Sequence, residues 1–337
     1  MIAAGAGTGP TATSRARSKP DACSVIWDRA QAPALGTAAA ATFWVALEQS
    51  GPWGRDAATQ SRLKPDVGMA LDRRCQENGG RLLLIRRPGS HSNARRDQRR
   101  RVYLAGGLAE RPWLLEADLD DPAQLLRLPW EALHDGDLGI EMAQDLFQET
   151  LPELHESPAP VLMICANSKR DVCCAVRGRA VAIETSLRRP GQVWECSHIG
   201  GHRFAPTGVV LPHGQTLARL SATSAVAVVD AAARDEVPVE LLGAAYDRGR
   251  SHLSPAAQAA ESVVRQRIQE PNLLALATTA APHATRADAW LCTVRHVDGR
   301  HWDVVAVRGP GAEDRPQSCG KIPVPTWEWS ILSGTGR

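Results

Sequence analysis

Two short apolar runs that end in metal-ligating side chains constrain this chain more than any other feature. Val161-Leu-Met-Ile164 leads into Cys165-Ala-Asn-Ser-Lys-Arg-Asp-Val-Cys173-Cys174, and Gln192–Cys196 leads into Ser197-His198-Ile-Gly-Gly-His202. Short apolar runs bounded by turn signals are buried strands. Loops that leave one edge of a sheet can converge on a single ion or cluster. Between the two runs, Ala175–Arg189 carries Val176, Val181, Ile183 and Leu187 as one apolar side of a helix. Gly208–Leu211 reads as a further strand and the Ala- and Val-rich 222–234 stretch as a helix. The order strand, loop, helix, strand, strand, helix predicts an α/β unit of thioredoxin-like type over residues 157–235.

A rough echo of that order precedes it. Thr42–Glu48 ends in apolar residues, Asp66–Asn78 has helical spacing stopped by Gly79-Gly80, and Arg81–Arg86 and Val102–Leu104 read as strands. The expectation is two related lobes, residues 23–156 and 157–235, split at Ser157-Pro-Ala-Pro160, with metal ligands in the second only. The first lobe ends in an acidic connecting segment, Glu116–Glu156. After residue 235, Ser254-Pro255 starts a helix to about Gln269. Val297-Asp298-Gly299-Arg300 then joins Trp290–His296 to His301–Val307 as a hairpin. Residues 1–22 are expected to be a disordered tail, 236–311 a helix and hairpin region, and 312–337 an irregular tail.

The chemistry resides in the two loops. His198 and His202, three residues apart, can face one centre, and Gly200 and Gly201 let the backbone between them bend tightly. Thiolate plus imidazole suits zinc and also a mixed-ligand iron–sulfur cluster. Zinc sites commonly use a closer cysteine pair than the C-x8-C of Cys165 and Cys174, a spacing that suits a loop wrapped around a cluster. Adjacent residues cannot both point the same way, so spacing alone leaves Cys173 and Cys174 as alternatives. Ordinary polar contacts compete with metal ligation for both histidines. Cys196, in a strand, reads as packing, and Cys23, Cys75, Cys292 and Cys319 read as buried small hydrophobes.

These segments resemble the sucrase/ferredoxin-like family. The resemblance is carried by Cys165–Cys174 with Ala175-Val-Arg-Gly-Arg179, and by Val193-Trp-Glu-Cys-Ser-His-Ile-Gly-Gly-His-Arg-Phe-Ala205. Further matches are Gly51-Pro-Trp-Gly-Arg55, Leu84-Ile-Arg-Arg-Pro88 and Gly249-Arg-Ser-His-Leu-Ser-Pro255. It implies a thioredoxin-like ferredoxin lobe and a [2Fe–2S] cluster ligated by Cys165, Cys174, His198 and His202, working in electron transfer. Two departures, Ala166-Asn167-Ser168 after the first ligand and Leu217-Ala218-Arg219, leave every implied ligand in place and bear on the hydrogen bonds around them.

Bulk properties narrow the rest. A formal net charge of +2 marks neither a nucleic-acid nor a membrane binder, and no apolar run approaches the roughly 20 residues of a bilayer span. Arg95–Arg101 lacks interleaved aromatics and reads as a solvated basic loop rather than a nucleic-acid patch. Eight cysteines that include an adjacent pair do not resemble a secreted disulfide framework. The expectation is a cytoplasmic electron carrier with a redox partner protein. A zinc-stabilised module using the same four residues competes with it. So does a sugar hydrolase, which needs a facing carboxylate pair that nothing in the acidic segment selects.

Overall fold

The computed structural model describes residues 19–89 and 99–332. The expected tail up to residue 18 and the basic residues Arg95 and Arg96 lie outside them. Strands such as Arg-Leu-Leu-Leu-Ile-Arg and Val-Leu-Met-Ile-Cys are apolar on both faces, and both faces are buried: helices pack on one, and the other faces a core of strand and loop residues. The fold is mixed α/β.

The chain opens with α1 (Cys23–Arg29), then β1 (Trp44–Glu48), α2 (Pro65–Glu77), β2 (Arg81–Arg86), β3 (Arg100–Gly106) and β4 (Trp113–Leu119). Two further helices, α3 (Trp130–His134) and α4 (Ile140–Gln148), lead to the two-residue β5 (His155–Glu156). The pattern restarts with β6 (Val161–Cys165), α5 (Arg179–Arg188), β7 (Val193–Cys196), β8 (Gly208–Leu211), β9 (Gln215–Leu217), α6 (Ala222–Ala232) and β10 (Asp247–Arg250).

These ten strands form one sheet in the order β10-β9-β8-β6-β7-β2-β1-β3-β4-β5. Each half repeats the same plan. β1 runs parallel to β2 and antiparallel to β3, which pairs antiparallel with β4. Likewise β6 runs parallel to β7 and antiparallel to β8, which pairs antiparallel with β9. The halves join where β2 and β7 pair antiparallel, Ile85 opposite Cys196 and Arg86 opposite Glu195. The lobes are therefore not separate bodies: the sheet crosses between them.

Motifs scattered in sequence meet at that junction. Arg86 donates to Glu195 at 2.8 Å with both side chains buried, donates to the Gly51 carbonyl at 2.8 Å, and lies 4.1 Å over the Trp53 ring. Ser197 closes the seam, exchanging hydrogen bonds with the Leu84 backbone.

Downstream, α7 (Pro255–Ile268) packs on a second, four-stranded sheet of β11 (Leu276–Pro282), β12 (Ala289–His296), β13 (His301–Pro310) and β14 (Trp327–Leu332). Ser254 caps α7, and Arg250 of β10 binds Glu261 of α7 through two 2.8 Å bonds.

Three expectations change. Residues 312–337 are not wholly irregular, because β14 pairs with β13 and Trp329 packs edge-on to Trp290 at 5.1 Å. The second half of the large sheet runs past residue 235, since β10 is its edge strand. Arg100 and Arg101 are in β3 rather than a solvated loop. The basic run instead meets the acidic segment: Arg101 pairs with Glu116 and Asp118, and Arg99 with Asp120 and Glu153. No helix among the described residues is long and apolar enough to cross a membrane.

Candidate metal centre

Cys165 is the last residue of β6, and its carbonyl sits where α5 begins. A Cβ on Gly178 would lie 2.1 Å from that carbonyl oxygen, so only glycine lets the helix start this close to the strand end. The turn Cys174–Gly178 is a single π-helical turn, a distortion concentrated at functional sites, and it presents Cys174 beside Cys165.

The opposing loop leaves β7 at Cys196. Gly200 and Gly201 adopt φ of +82° and +70°, the left-handed region that a side chain resists, and these bends bring His198 and His202 to within 5.2 Å, centroid to centroid. Beneath the loop lies Arg248, 1 % exposed, which donates to the Gly200 carbonyl at 3.1 Å, to the Thr37 hydroxyl at 3.1 Å and to the Thr37 carbonyl. A Cβ on Gly201 would collide with the guanidinium at 2.6 Å. Burial, with the like charge of Arg203 behind it, lowers the Arg248 pKa to about 9.

The sulfur atoms of Cys165 and Cys174 and a ring nitrogen of His198 all lie within 4.8 Å of one another, with Cys165 Sγ 3.9 Å from His198 Nδ1. A hydrogen bond from Cys174, ahead of one from His198, holds the Cys165 thiol well below the usual thiol range. The same pairing pushes Cys174 up. His202 stands outside this tight trio. Both of its ring nitrogens are buried and neither makes a side-chain hydrogen bond among the described residues, the Gln317 backbone being the polar group set against the ring. Asp171 comes no nearer than 3.9 Å, and burial lowers the His202 pKa, keeping the ring neutral. Buried imidazole nitrogens are seldom left unpartnered. Two thiols and two imidazoles form a donor set suited to a soft metal or an iron–sulfur cluster.

The structure separates the adjacent cysteines: Cys174 joins Cys165 and His198, and Cys173 turns to Cys23 and Cys319. Cys196 is buried in the core, its thiol pushed up by that burial. One departure from the family pattern, Asn167, has a local use, and Arg219, where the pattern is kept, has another. Asn167 ties the ligand loop to the Gly54 carbonyl at 3.2 Å, and Arg219 binds Asp28 at 2.8 Å. Arg248 was not identified from sequence, where nothing distinguishes it from other arginines. His198 borders a cleft of about 430 Å³ between the halves, lined also by Arg55, Asp72, Arg81 and Arg170.

The profile of the family described as sucrase/ferredoxin-like matches residues 34–242, which include both ligand loops and leave Cys23 and Cys319 outside. No curated protein and no solved structure matches the chain. The profile covers well over half of the sequence, and the chain belongs to the sucrase/ferredoxin-like family.

Proposed function

We propose that this protein is a cytoplasmic electron carrier whose [2Fe–2S] cluster is held by Cys165, Cys174, His198 and His202, and that it exchanges electrons with a partner protein. The observation that carries the reading is the convergence of the Cys165–Cys174–His198 trio with the buried imidazole of His202, 5.2 Å from His198 centroid to centroid and without a side-chain hydrogen bond among the described residues. When bound, such a cluster supplies one-electron transfer.

The chain's own residues set the conditions for that transfer. Two imidazoles in place of two thiolates make the site less negative, and Arg248 places a buried positive charge against the loop. Both raise the potential. In Rieske centres the imidazole exchange moves it from about −400 mV to roughly −150 to +300 mV. His198 borders the cleft, so a partner seated there would approach the centre through this imidazole. Eight free cysteines suit a reducing compartment.

The test is to restore thiolate charge. His198→Cys and His202→Cys are each expected to retain a cluster and to lower its midpoint potential. An unchanged potential in both variants would show that neither histidine touches iron.

A further inference from the structure

Cys23, Asp171, Cys173 and Cys319 come from three distant parts of the chain and meet in one place. Cys23 opens α1, Asp171 and Cys173 belong to the ligand loop after β6, and Cys319 lies in the segment before β14. The Cys23–Cys173, Cys173–Cys319 and Cys319–Cys23 sulfur separations are 3.6, 3.2 and 3.6 Å. Both carboxylate oxygens of Asp171 are 3.8 Å from the Cys23 sulfur. Cys23, Cys173 and Asp171 are no more than 4 % exposed.

We propose that these four residues form a second metal site, distinct from the Cys165–His202 centre, that binds a single zinc ion. Ligands around zinc, with Zn–S near 2.3 Å, form a tetrahedron whose sulfur atoms stand roughly 3.8 Å apart. Three thiols close to that mutual spacing, with a carboxylate at the fourth corner, match one ion. They are too close together to straddle the two irons of a cluster. A disulfide would use two of the thiols and leave no reason for the third and the carboxylate to converge.

The surroundings are built for ligation. Asp171 Oδ1 accepts from the Cys173 backbone N–H at 2.8 Å. Its Oδ2 accepts from the Ser318 hydroxyl at 2.8 Å and the Cys319 backbone N–H at 2.9 Å. The carboxylate is thus oriented by the backbone of two fellow ligands, as outer-shell donors orient metal-bound carboxylates. Among the described residues the only ion pair to these four groups is His202 with Asp171 at 3.9 Å. The Arg203 guanidinium bears on Cys23, but no arginine or lysine among the described residues pairs with Asp171, and a dication bound by the four groups would supply that charge. On binding, the thiols release their protons to solvent.

The ion would tie α1 and the segment before β14, 296 residues apart at Cys23 and Cys319, to the loop that carries Cys174. Trp27 reinforces the same clasp, its indole N–H donating to the Pro316 carbonyl at 3.0 Å. The proposal does not depend on what occupies the Cys165–His202 centre.

Elemental analysis of full-length, tag-free protein is expected to give about one zinc per chain, whatever its iron content. Cys23→Ser and Cys319→Ser are expected to lose that zinc while keeping any visible absorption from the other centre. Protein produced with cobalt in place of zinc tests the wild-type chain directly, because tetrahedral thiolate ligation gives intense sulfur-to-cobalt and d–d bands. Zinc-free protein without those bands would overturn the proposal. So would a non-reduced protein two hydrogens lighter with Cys173 cross-linked to Cys23 or Cys319.

Discussion

Cys173 and Cys174 are neighbours in sequence and belong to different clusters: Cys174 faces Cys165 and His198, while Cys173 faces Cys23 and Cys319. One loop therefore supports two groups of ligating side chains, and Asp171 stands between them, 3.9 Å from His202.

That division predicts opposite phenotypes for one substitution at adjacent positions. Cys174→Ser is expected to remove nearly all visible absorption of the purified protein, and Cys173→Ser to keep most of it while releasing zinc. Paired absorption spectra and metal analyses decide the matter. Loss of the chromophore in Cys173→Ser alone would reverse the assignment.

Arg248 is expected to tune the centre by charge. Arg248→Gln removes a buried cation from beneath the Gly200–Gly201 bend and should lower the midpoint potential by on the order of 50 mV. It also costs about 2–3 kcal/mol of stability through lost hydrogen bonds. Potentiometric titration reads the first effect and urea unfolding the second. An unchanged potential would mean that the guanidinium serves only the loop's shape.

The junction between the halves rests on a buried ion pair. Arg86→Met leaves Glu195 in the interior without its 2.8 Å partner and should cost about 3–5 kcal/mol. Removing both charges in Arg86→Met/Glu195→Leu should recover a large part of that loss. Equilibrium unfolding of the single and double variants tests the coupling, and additive losses would refute it.

His252, partly buried against Arg250 and Glu261, carries a pH dependence. Burial, then the Arg250 charge, lowers its pKa from 6.5 to about 4. The unfolded chain therefore binds a proton that the folded chain refuses, and stability falls as pH drops from 6.5 toward 4. Discounted for partial exposure, the loss is on the order of 2 kcal/mol. Glu261, lowered to about 2 by the Arg250 and Arg265 charges against burial, acts in a separate window, losing its contribution as pH falls from 4.5. Unfolding of wild type and His252→Gln at pH 7 and 4.5 should show a smaller decline in the variant. Equal declines would rule out His252 as the source.

Much of this architecture was legible in the residues. Val161–Cys165, Val193–Cys196 and Gly208–Leu211 are apolar runs with clear stops, and they are the strands that aim the ligand loops. The β4 strand was not legible, because Glu116 and Asp118 give it the composition of a solvated segment. Their partner, Arg101, becomes a neighbour only when β3 and β4 pair. In β11, Leu-Ala-Thr-Thr-Ala-Ala-Pro has too little apolar alternation to register, and it takes its place by pairing with β12. Cys23 and Cys319 looked like scattered hydrophobes because their proximity is a product of tertiary structure alone. The spacing of Cys173 and Cys174 could not separate them; the π-helical turn does.

The redox predictions all depend on the proposed iron–sulfur centre at Cys165, Cys174, His198 and His202. Electron paramagnetic resonance of the purified protein, before and after one-electron reduction, tests it most directly. The protein is expected to be red-brown and silent when oxidised, and to become paramagnetic on reduction with a [2Fe–2S] signature coupled to histidine nitrogen. A colourless protein, silent in both states, would contradict it.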